Sequence, residues 1–257
     1  RLKNTEVICG DANAPNDIHD WPGVLIYEAD NEYVVDIQWD YLGMKGSLDF
    51  YWLQPYTDGF SANNNSLVGT VDCTSLPINL LRFSIVRNQL QGTLDLTKLP
   101  HQMTSLDLGD NALEGALDLT KLPDSMEEIS LDKNSFSGTI DLTRLPVALA
   151  TLRLNQNNLY GTVDLTQLPE KMKAISIREN RFSGDLDLTR LPGKLTLLSL
   201  HSNDFYGETD LTALPAWLVQ FNISHTQLSG TVIVPSIKWR GFNVEESQVV
   251  KVQMEEK

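Results

Sequence analysis

The sequence predicts a mainly β repeat protein, built as a stack of about nine similar turns of 23 residues. Three features recur in one frame over most of the 257 residues, roughly from Tyr33 to Val234, and together they carry this prediction. The Leu-Pro pairs begin at Leu76, Leu99, Leu122, Leu145, Leu168, Leu191 and Leu214. The asparagines are Asn65, Asn88, Asn111, Asn134, Asn157, Asn180 and Asn203. The glycines are Gly46, Gly69, Gly92, Gly115, Gly138, Gly161, Gly184, Gly207 and Gly230. Chance does not hold three features in phase over so long a stretch, so the repeats decide the architecture.

Each turn is predicted to contain two short extended segments. In Leu106-Asp107-Leu108 two leucines point to one side and the aspartate to the other, which is the period of a strand. A turn of 23 residues leaves too little chain for a long helix after that strand. The proline after each repeated leucine also discourages a helix interior. We therefore expect a strand, a tight turn, a second extended segment and a little 3₁₀ structure.

Two columns of polar side chains are predicted to run along the stack. The repeated asparagines point inward, where an amide can satisfy backbone groups that the turns bury. We call this column the Asn ladder, and in the last turn Thr226 takes its place. A second column, the Asp ladder, contains Asp49, Asp72, Asp95, Asp118, Asp141, Asp164, Asp187 and Asp210.

The Asp ladder needs an explanation because stacked strands would set its like charges only about 5 Å apart. The Leu-Thr that follows most of these aspartates predicts that each carboxylate accepts hydrogen bonds from the next turn of backbone, as an Asx turn. The alternative is a row of cations, such as calcium. Its ligands would be Asp72, Asp95, Asp118, Asp141, Asp164 and Asp187.

The centre of the unit, seen in residues 103–113 with Leu106, Leu108, Asn111 and Leu113, resembles the leucine-rich repeat consensus. This resemblance covers about four-fifths of the chain. It implies a right-handed solenoid with a parallel sheet on its concave face and short 3₁₀ or irregular segments on its convex face. The glycine two residues after the last leucine resembles repeats of plant receptor ectodomains, and Asp-Leu-Thr resembles repeat proteins of protists. The resemblance implies an extracellular or cell-surface recognition module.

The ends of the repeat array are expected to carry caps, because an open stack exposes its core. We divide the chain into an N-terminal cap at 1–32, repeats at 33–234 and a C-terminal cap and tail at 235–257. Trp21-Pro22-Gly23-Val24 is similar to the N-terminal cap of plant-type repeats, although the second cysteine expected nearby is absent. Strand character at residues 248–254 would close the last turn or add to another sheet edge.

Tryptophan and cysteine are confined to few places. All five tryptophans lie near the ends of the repeats, where they would cover the terminal turns or anchor a partner chain. They are Trp21, Trp39, Trp52, Trp217 and Trp239. Of the two cysteines, Cys73 fills a leucine position of the repeat and is expected to be a buried thiol. Cys9 is a candidate for a disulfide with Cys73 or with another chain.

The outward positions of the concave strands are the candidate ligand-binding surface. They are polar, small and of mixed sign, which suits a protein, peptide or glycan ligand or a merely solvated face. The residues singled out for partner binding are Arg82, Asp107, Asp132, Arg153, Arg178 and His201. Candidate glycosylation sites are Asn64 and Asn222, each in an N-x-S sequence. His201 and His225 alone are too few for a metal site, so neither a metal nor a cofactor is expected.

Charge and motifs exclude other classes of function. A net charge of −14 argues against nucleic acid and against an anionic membrane surface, and no apolar run is long enough to span a bilayer. No catalytic motif is present, so we do not expect an enzyme.

The sequence favours a non-catalytic binding module that uses its concave face. The alternative is a structural building block that assembles head-to-tail into an extracellular filament or surface layer. The start at Arg1 suggests a processed chain or a fragment.

Overall fold

Two parallel sheets run the length of the molecule, one from each extended segment of the repeat. The computed structural model describes residues 3, 8, 10–11, 14–15, 17, 20–29 and 32–254. Its strands are numbered β1 to β23 in chain order. The order strand, turn, second strand and, in four of the described turns, a 3₁₀ segment confirms the predicted mainly β solenoid.

The sheet formed by the first extended segments, predicted to be concave and called the concave sheet here, has eleven strands among the described residues. They are β3 (Val24–Ala29), β4 (Glu32–Gln38), β6 (Thr57–Ser61), β8 (Arg82–Ser84), β10 (Ser105–Asp107), β12 (Glu128–Ser130), β14 (Thr151–Arg153), β16 (Ala174–Ser176), β18 (Leu197–Ser199), β20 (Gln220–Asn222) and β22 (Phe242–Asn243). Every neighbouring pair is parallel except β3 and β4.

The second sheet has ten strands, all parallel. They are β5 (Lys45–Ser47), β7 (Ser66–Gly69), β9 (Gln89–Thr93), β11 (Ala112–Gly115), β13 (Ser135–Gly138), β15 (Asn158–Gly161), β17 (Arg181–Gly184), β19 (Asp204–Glu208), β21 (Gln227–Val234) and β23 (Gln248–Gln253). A small antiparallel pair, β1 (Gly10–Asp11) and β2 (Ala14–Pro15), precedes both sheets. The 3₁₀ segments are Phe50–Trp52, Cys73–Ser75, Leu96–Lys98 and Ser236–Gly241. Among the described residues, no helix is long and apolar enough to cross a membrane.

The two sheets differ in register. In the concave sheet Ser105 pairs with Glu128, its counterpart one repeat later, so equivalent residues form straight rows across the strands. In the second sheet Gly115 pairs with Phe136, which is equivalent to Leu113. Equivalent positions are therefore offset by two residues from one turn to the next. Simple stacking of the repeat frame did not predict this offset, because the frame fixes only the composition of a turn and not the inclination of its strands.

The core lies between the sheets and is built from the inward leucines together with buried phenylalanines. Leu106, Leu108 and Leu113 are essentially inaccessible to solvent, as the alternation in the sequence predicted. Phe182 and Phe205 stack with 6.3 Å between ring centroids. Each turn therefore buries its apolar face only by stacking on its neighbours.

The Asn ladder closes each turn, as predicted. Asn134 donates from its amide nitrogen to the carbonyl oxygens of Leu108, Leu131 and Asp132 at 3.0–3.2 Å. Its own Oδ1 accepts from the Leu113 amide of the preceding turn at 3.0 Å. The same pattern repeats along the ladder from Asn65 to Asn203. One side chain thus supplies hydrogen bonds that two turns need.

Aromatic residues cover the N-terminal end of the stack. Trp39 is buried, lies 5.3 Å from Trp52 in a stacked arrangement and 6.2 Å from Trp21, and donates from Nε1 to the Pro22 carbonyl. β3 lies antiparallel on β4 and covers the edge of the concave sheet.

The C-terminal end differs from the expectation. Trp217 is 72% exposed, so the prediction that this tryptophan covers the terminal turn is wrong. It sits at an x position of the convex Leu-Pro-x-x-Leu segment, where the side chain points outward. The side chain of Trp239 lies outside the described part of the structure. β23 pairs in parallel with β21, so the tail closes the last turn.

Cys73 is a buried free thiol in the position that Leu96 occupies one turn later. Burial, followed by the nearby charges of Asp95 and Asp72, raises the pKa of its thiol to about 12. Such a thiol is a poor nucleophile and packs as a small apolar group. The free thiol of Cys73 does not support the candidate Cys9–Cys73 disulfide. Cys9 itself lies outside the described residues, so its bond to another chain stays a prediction.

Candidate ligand-binding face

The outward side chains of the concave sheet form straight rows because its strands pair at equivalent residues. One row runs through Arg153, Ser176, Ser199, Asn222 and Asn243, which the strand register places side by side. Neighbouring members are therefore about 4.8 Å apart along the stack. A ligand lying across the strands would meet one such side chain per turn.

A groove of about 450 Å³ lies over the C-terminal half of this face. We call it the cationic groove, because three arginines line it and no carboxylate does. Its polar lining residues are Arg153, Asn155, Ser176, Arg178, Ser199, His201, Gln220, Asn222, Arg240 and Asn243. This is unexpected in a chain with 34 acidic and 20 basic residues.

The N-terminal half of the face has the opposite character. A groove of about 380 Å³, the acidic groove, is lined by Asp36, Asp40 and Asp107 together with Arg82. The Arg82 guanidinium lies 3.2 Å from the Asp36 carboxylate and 3.1 Å from that of Asp58. The charge of this arginine is therefore already paired. The face divides into an acidic half and a cationic half.

The six residues singled out from the sequence fall in both halves. Arg82 and Asp107 line the acidic groove, whereas Arg153, Arg178 and His201 line the cationic groove. Asp132 lines neither groove and accepts from the Asn155 backbone amide at 2.6 Å. Burial raises the pKa of the Asp132 carboxyl. The Asp132 side chain therefore holds the backbone just after β14, in addition to facing outward.

Two of the groove residues have chemistry set by their neighbours. Arg178 pairs with the carboxylate of Glu179, which also accepts from the side chain of Gln156 at 2.7 Å. His201 Nδ1 lies 2.9 Å from the Ser199 hydroxyl. Burial, followed by the positive charge of Arg178, lowers the pKa of the His201 imidazole. This histidine is therefore neutral at pH 7 and available as a hydrogen-bonding group.

Sequence reasoning missed Arg240 and Asn243. Both lie in the segment after residue 234, where the 23-residue frame ends, so no repeat register predicted their direction. The signal available was only that the two basic residues Lys238 and Arg240 lie close together in the tail. In the structure β22 extends the concave sheet by one strand and brings Asn243 into the row that contains Asn222.

The two candidate glycosylation sites differ in position. Asn64 lies on the turn after β6, with a left-handed backbone (φ 55°), and its Oδ1 lies 3.5 Å from an Arg87 nitrogen. Asn222 lies in β20 and lines the cationic groove. A glycan on Asn222 would fill that groove, so ligand binding there and modification of Asn222 exclude each other.

The Asp ladder forms the predicted Asx turns. Asp118 Oδ1 accepts from the Thr120 amide at 2.9 Å and from the Thr120 hydroxyl at 2.6 Å. The same pair of bonds recurs at the other ladder aspartates that precede Leu-Thr or Cys-Thr. At Asp49 a tyrosine replaces the threonine, and only the Tyr51 amide donates. Each turn thus stabilises its own carboxylate.

These hydrogen bonds make stability depend on pH. Each of these carboxylates accepts a hydrogen bond from a threonine hydroxyl, which has the larger effect, and one from the backbone amide of the same threonine. Both bonds lower the pKa of the Asp118, Asp141 and Asp187 carboxyls below the ordinary value of 3.8. The folded chain then binds protons more weakly than the unfolded chain, so the stabilisation is present above pH 3.8 and is lost as the pH falls below it.

We expect the Tm to fall below pH 3.8 in thermal melts. The triple variant D118N/D141N/D187N should show a flatter fall, and D124N/D185N/D204N, outside the ladder, should follow the unchanged chain. Parallel profiles for the two triple variants would contradict this account.

The alternative role of the Asp ladder, a row of cations, predicts a different result. Within the described residues, no cluster of three or more His, Cys, Asp or Glu side chains has an arrangement that could hold a metal ion. We therefore expect calcium, followed by excess chelator, to leave the Tm unchanged. A rise with calcium that the chelator reverses would favour bound cations instead.

Taken together, the leucine alternation, the Asn ladder and the concave parallel sheet define a leucine-rich-repeat solenoid. Solved structures agree with this fold. A plant ice-binding protein is similar over 98% of this chain and 90% of its own, with a TM-score of 0.67 at 18% identity. The PEPR1–AtPEP1 structure is similar over 80% of this chain, with a TM-score of 0.61 at 23% identity.

A third similar structure is the leucine-rich-repeat ectodomain of the Arabidopsis thaliana receptor kinase GASSHO1/SCHENGEN3 in complex with CASPARIAN STRIP INTEGRITY FACTOR 2. It covers 77% of this chain, with a TM-score of 0.50 at 23% identity. The chain spans about 30% of the length of this ectodomain and of the PEPR1 structure. No protein-family model and no curated protein matches the sequence.

Proposed function

We propose that this protein is a non-catalytic recognition module that binds a protein or peptide through the concave face. The observation that carries the proposal is the division of that face into two oppositely charged grooves on a continuous parallel sheet. Hydrogen bonds and ion pairs fix side chains that line them, as at Arg82 and Asn155. A preformed surface loses little conformational freedom when it binds.

The similar structures support this proposal. One of them is the PEPR1–AtPEP1 structure, and another is a leucine-rich-repeat receptor-kinase ectodomain in complex with CASPARIAN STRIP INTEGRITY FACTOR 2. One is the ectodomain of a membrane receptor kinase, which supports an extracellular or cell-surface location. A glycan ligand fits less well, because the face has few exposed aromatic rings for stacking on sugars.

The experiment is a selection of a randomised peptide display library against the intact chain. The selected peptides are then titrated against Ser130→Tyr, which places a large side chain on the concave strand β12. The matched control is Ser137→Tyr on β13 of the second sheet, where the serine is also partly exposed. We expect the first variant to weaken binding by about tenfold or more and the control to leave it unchanged.

Two outcomes would contradict the proposed function. One is a library that yields no peptide with saturable binding. The other is a set of peptides that Ser137→Tyr displaces and Ser130→Tyr does not, because those peptides would bind the second sheet.

Head-to-tail assembly stays a prediction. The edge strand β3 lies antiparallel on the concave sheet, and Lys3 forms an antiparallel bridge to Lys45 on β5. These two features occupy the N-terminal edges of both sheets, where a parallel strand from a second copy would have to pair. Light scattering of native material over a range of concentrations, with and without reductant, distinguishes the cases. A strict monomer throughout contradicts the filament, and growth with concentration supports it.

A second candidate function, binding to ice, is favoured by the threonines of the second sheet. Thr93 ends β9, and Thr70, Thr139 and Thr162 directly follow β7, β13 and β15. All four follow the repeated glycine and are exposed, so they present hydroxyl and methyl groups along one edge of the sheet, interrupted at Ala116. The similarity to the plant ice-binding protein adds support for this candidate. The test is ice recrystallisation in the presence of the chain and of T139K/T162K, with T151K on the concave face as control. Unchanged crystal growth with the wild-type chain would eliminate ice binding.

A further inference from the structure

The cationic groove is rich in hydrogen-bond donors as well as in positive charge. Asn222 and Asn243 each use their side-chain oxygen to accept from the backbone amide two residues later, at 3.0 Å. The oxygen of Asn155 accepts from the Ser176 hydroxyl. With their oxygens held, these amides present their NH₂ groups as donors. A ligand for this groove must therefore be rich in acceptors.

The positive charges of the groove are only partly compensated. Arg178 pairs with Glu179, whereas among the described residues neither Arg153 nor Arg240 forms an ion pair. Both of these side chains belong to exposed residues. The residues that line the groove therefore carry a net positive charge, although the chain as a whole carries a net charge of −14. Screening limits the effect of distant carboxylates to about 8 Å at physiological salt.

The length of the groove sets the size of the ligand. It extends from β14 to β22, which is four strand spacings or about 19 Å. An extended peptide rises about 3.3 Å per residue, so about six residues span this distance. Backbone carbonyls and carboxylates along such a peptide match the amide and guanidinium donors of successive strands.

From these features we infer that the cationic groove binds an extended acidic peptide segment of about six residues across strands β14 to β22. Arg153 and Arg240 engage carboxylates towards its two ends, and the asparagines between them donate to its backbone. This site assignment rests on the proposed function of the concave face. The acidic groove, by contrast, would repel the same segment, which fixes the half of the face that the segment occupies.

The test uses a rhodamine-labelled hexaglutamate peptide with an amidated C-terminus, titrated with the full chain and followed by fluorescence anisotropy. We expect saturable binding that R153E/R240E weakens by about tenfold or more. The control R181E/R190E makes the same change in net charge at two exposed arginines outside the groove. It should bind as the unchanged chain does. Circular dichroism of both variants verifies that the fold is retained.

Three results would overturn the inference. They are the absence of saturable binding, equal weakening by both double variants, and binding of a galacturonate hexasaccharide when hexaglutamate does not bind. The last result would assign the groove to an anionic glycan. If library-selected peptides still bind the concave face while hexaglutamate does not, this inference alone fails. If neither binds, the proposed function fails with it.

Discussion

Replacing Asn157 by alanine is expected to destabilise the fold by about 3–5 kcal/mol. Its amide nitrogen donates to the carbonyls of Leu131, Leu154 and Asn155 at 3.0–3.2 Å, and its oxygen accepts from the Phe136 amide at 3.0 Å. Alanine removes all four bonds at a buried position, and each backbone group left without a partner costs about 1–3 kcal/mol. Water that enters the vacated space recovers part of this loss.

The measurement is equilibrium urea unfolding of the variant beside Asn158→Ala. Asn158 is the next residue but is exposed, so its replacement should change stability by no more than about 0.5 kcal/mol. A loss below about 1 kcal/mol for Asn157→Ala would show that the ladder amides do not hold the turns together.

Replacing Gly161 by alanine should cost more than the same change at Gly138, although both glycines have left-handed backbones. At Gly161 (φ +89°) a Cβ atom would lie 2.8 Å from Cγ2 of Thr139, which is too close for carbon atoms. At Gly138 (φ +93°) it would lie 3.4 Å from the Cβ of Ala116, an ordinary contact. We expect about 1–2 kcal/mol of strain at either site and roughly 1–3 kcal/mol more at Gly161.

A double variant separates the strain of the left-handed backbone from the close contact between the new Cβ and Thr139. Thr139→Ala removes the methyl group that the new Cβ would meet, so G161A/T139A should return to the stability of Gly138→Ala. Thr139→Ala alone should have little effect, because its side chain is exposed. Equal unfolding midpoints for Gly161→Ala and Gly138→Ala would contradict this packing of threonine over glycine.

The sequence predicted most of the fold, because repetition turns a local pattern into a global one. The alternation around Leu106 identifies one strand, and the 23-residue frame places the equivalent strand in every other turn. The Asn ladder and the Asx turns of the Asp ladder were predictable for a related reason. In each, a side chain bonds to backbone within its own turn or the preceding one, so the repeat alone determines the partners.

What the sequence did not predict depends on positions outside the frame or on geometry between turns. The two-residue offset of the second sheet depends on how strongly its strands incline. Trp217 was expected to cover the end of the stack and is exposed instead, because the repeat buries Leu218 and partly buries Leu214 on either side of it. Arg240 has no counterpart in the repeat, so the third arginine of the cationic groove became visible only when β22 was seen to extend the concave sheet.

Site-specific photo-cross-linking tests the central claim, recognition through the concave face, most directly. Benzoylphenylalanine replaces Glu128 on the concave sheet or Glu114 on the second sheet, two exposed glutamates one turn apart in opposite sheets. A library-selected peptide is then irradiated with each variant, and adducts are counted by mass spectrometry. The account predicts adducts from position 128 and none from position 114. Adducts from position 114 alone would contradict it.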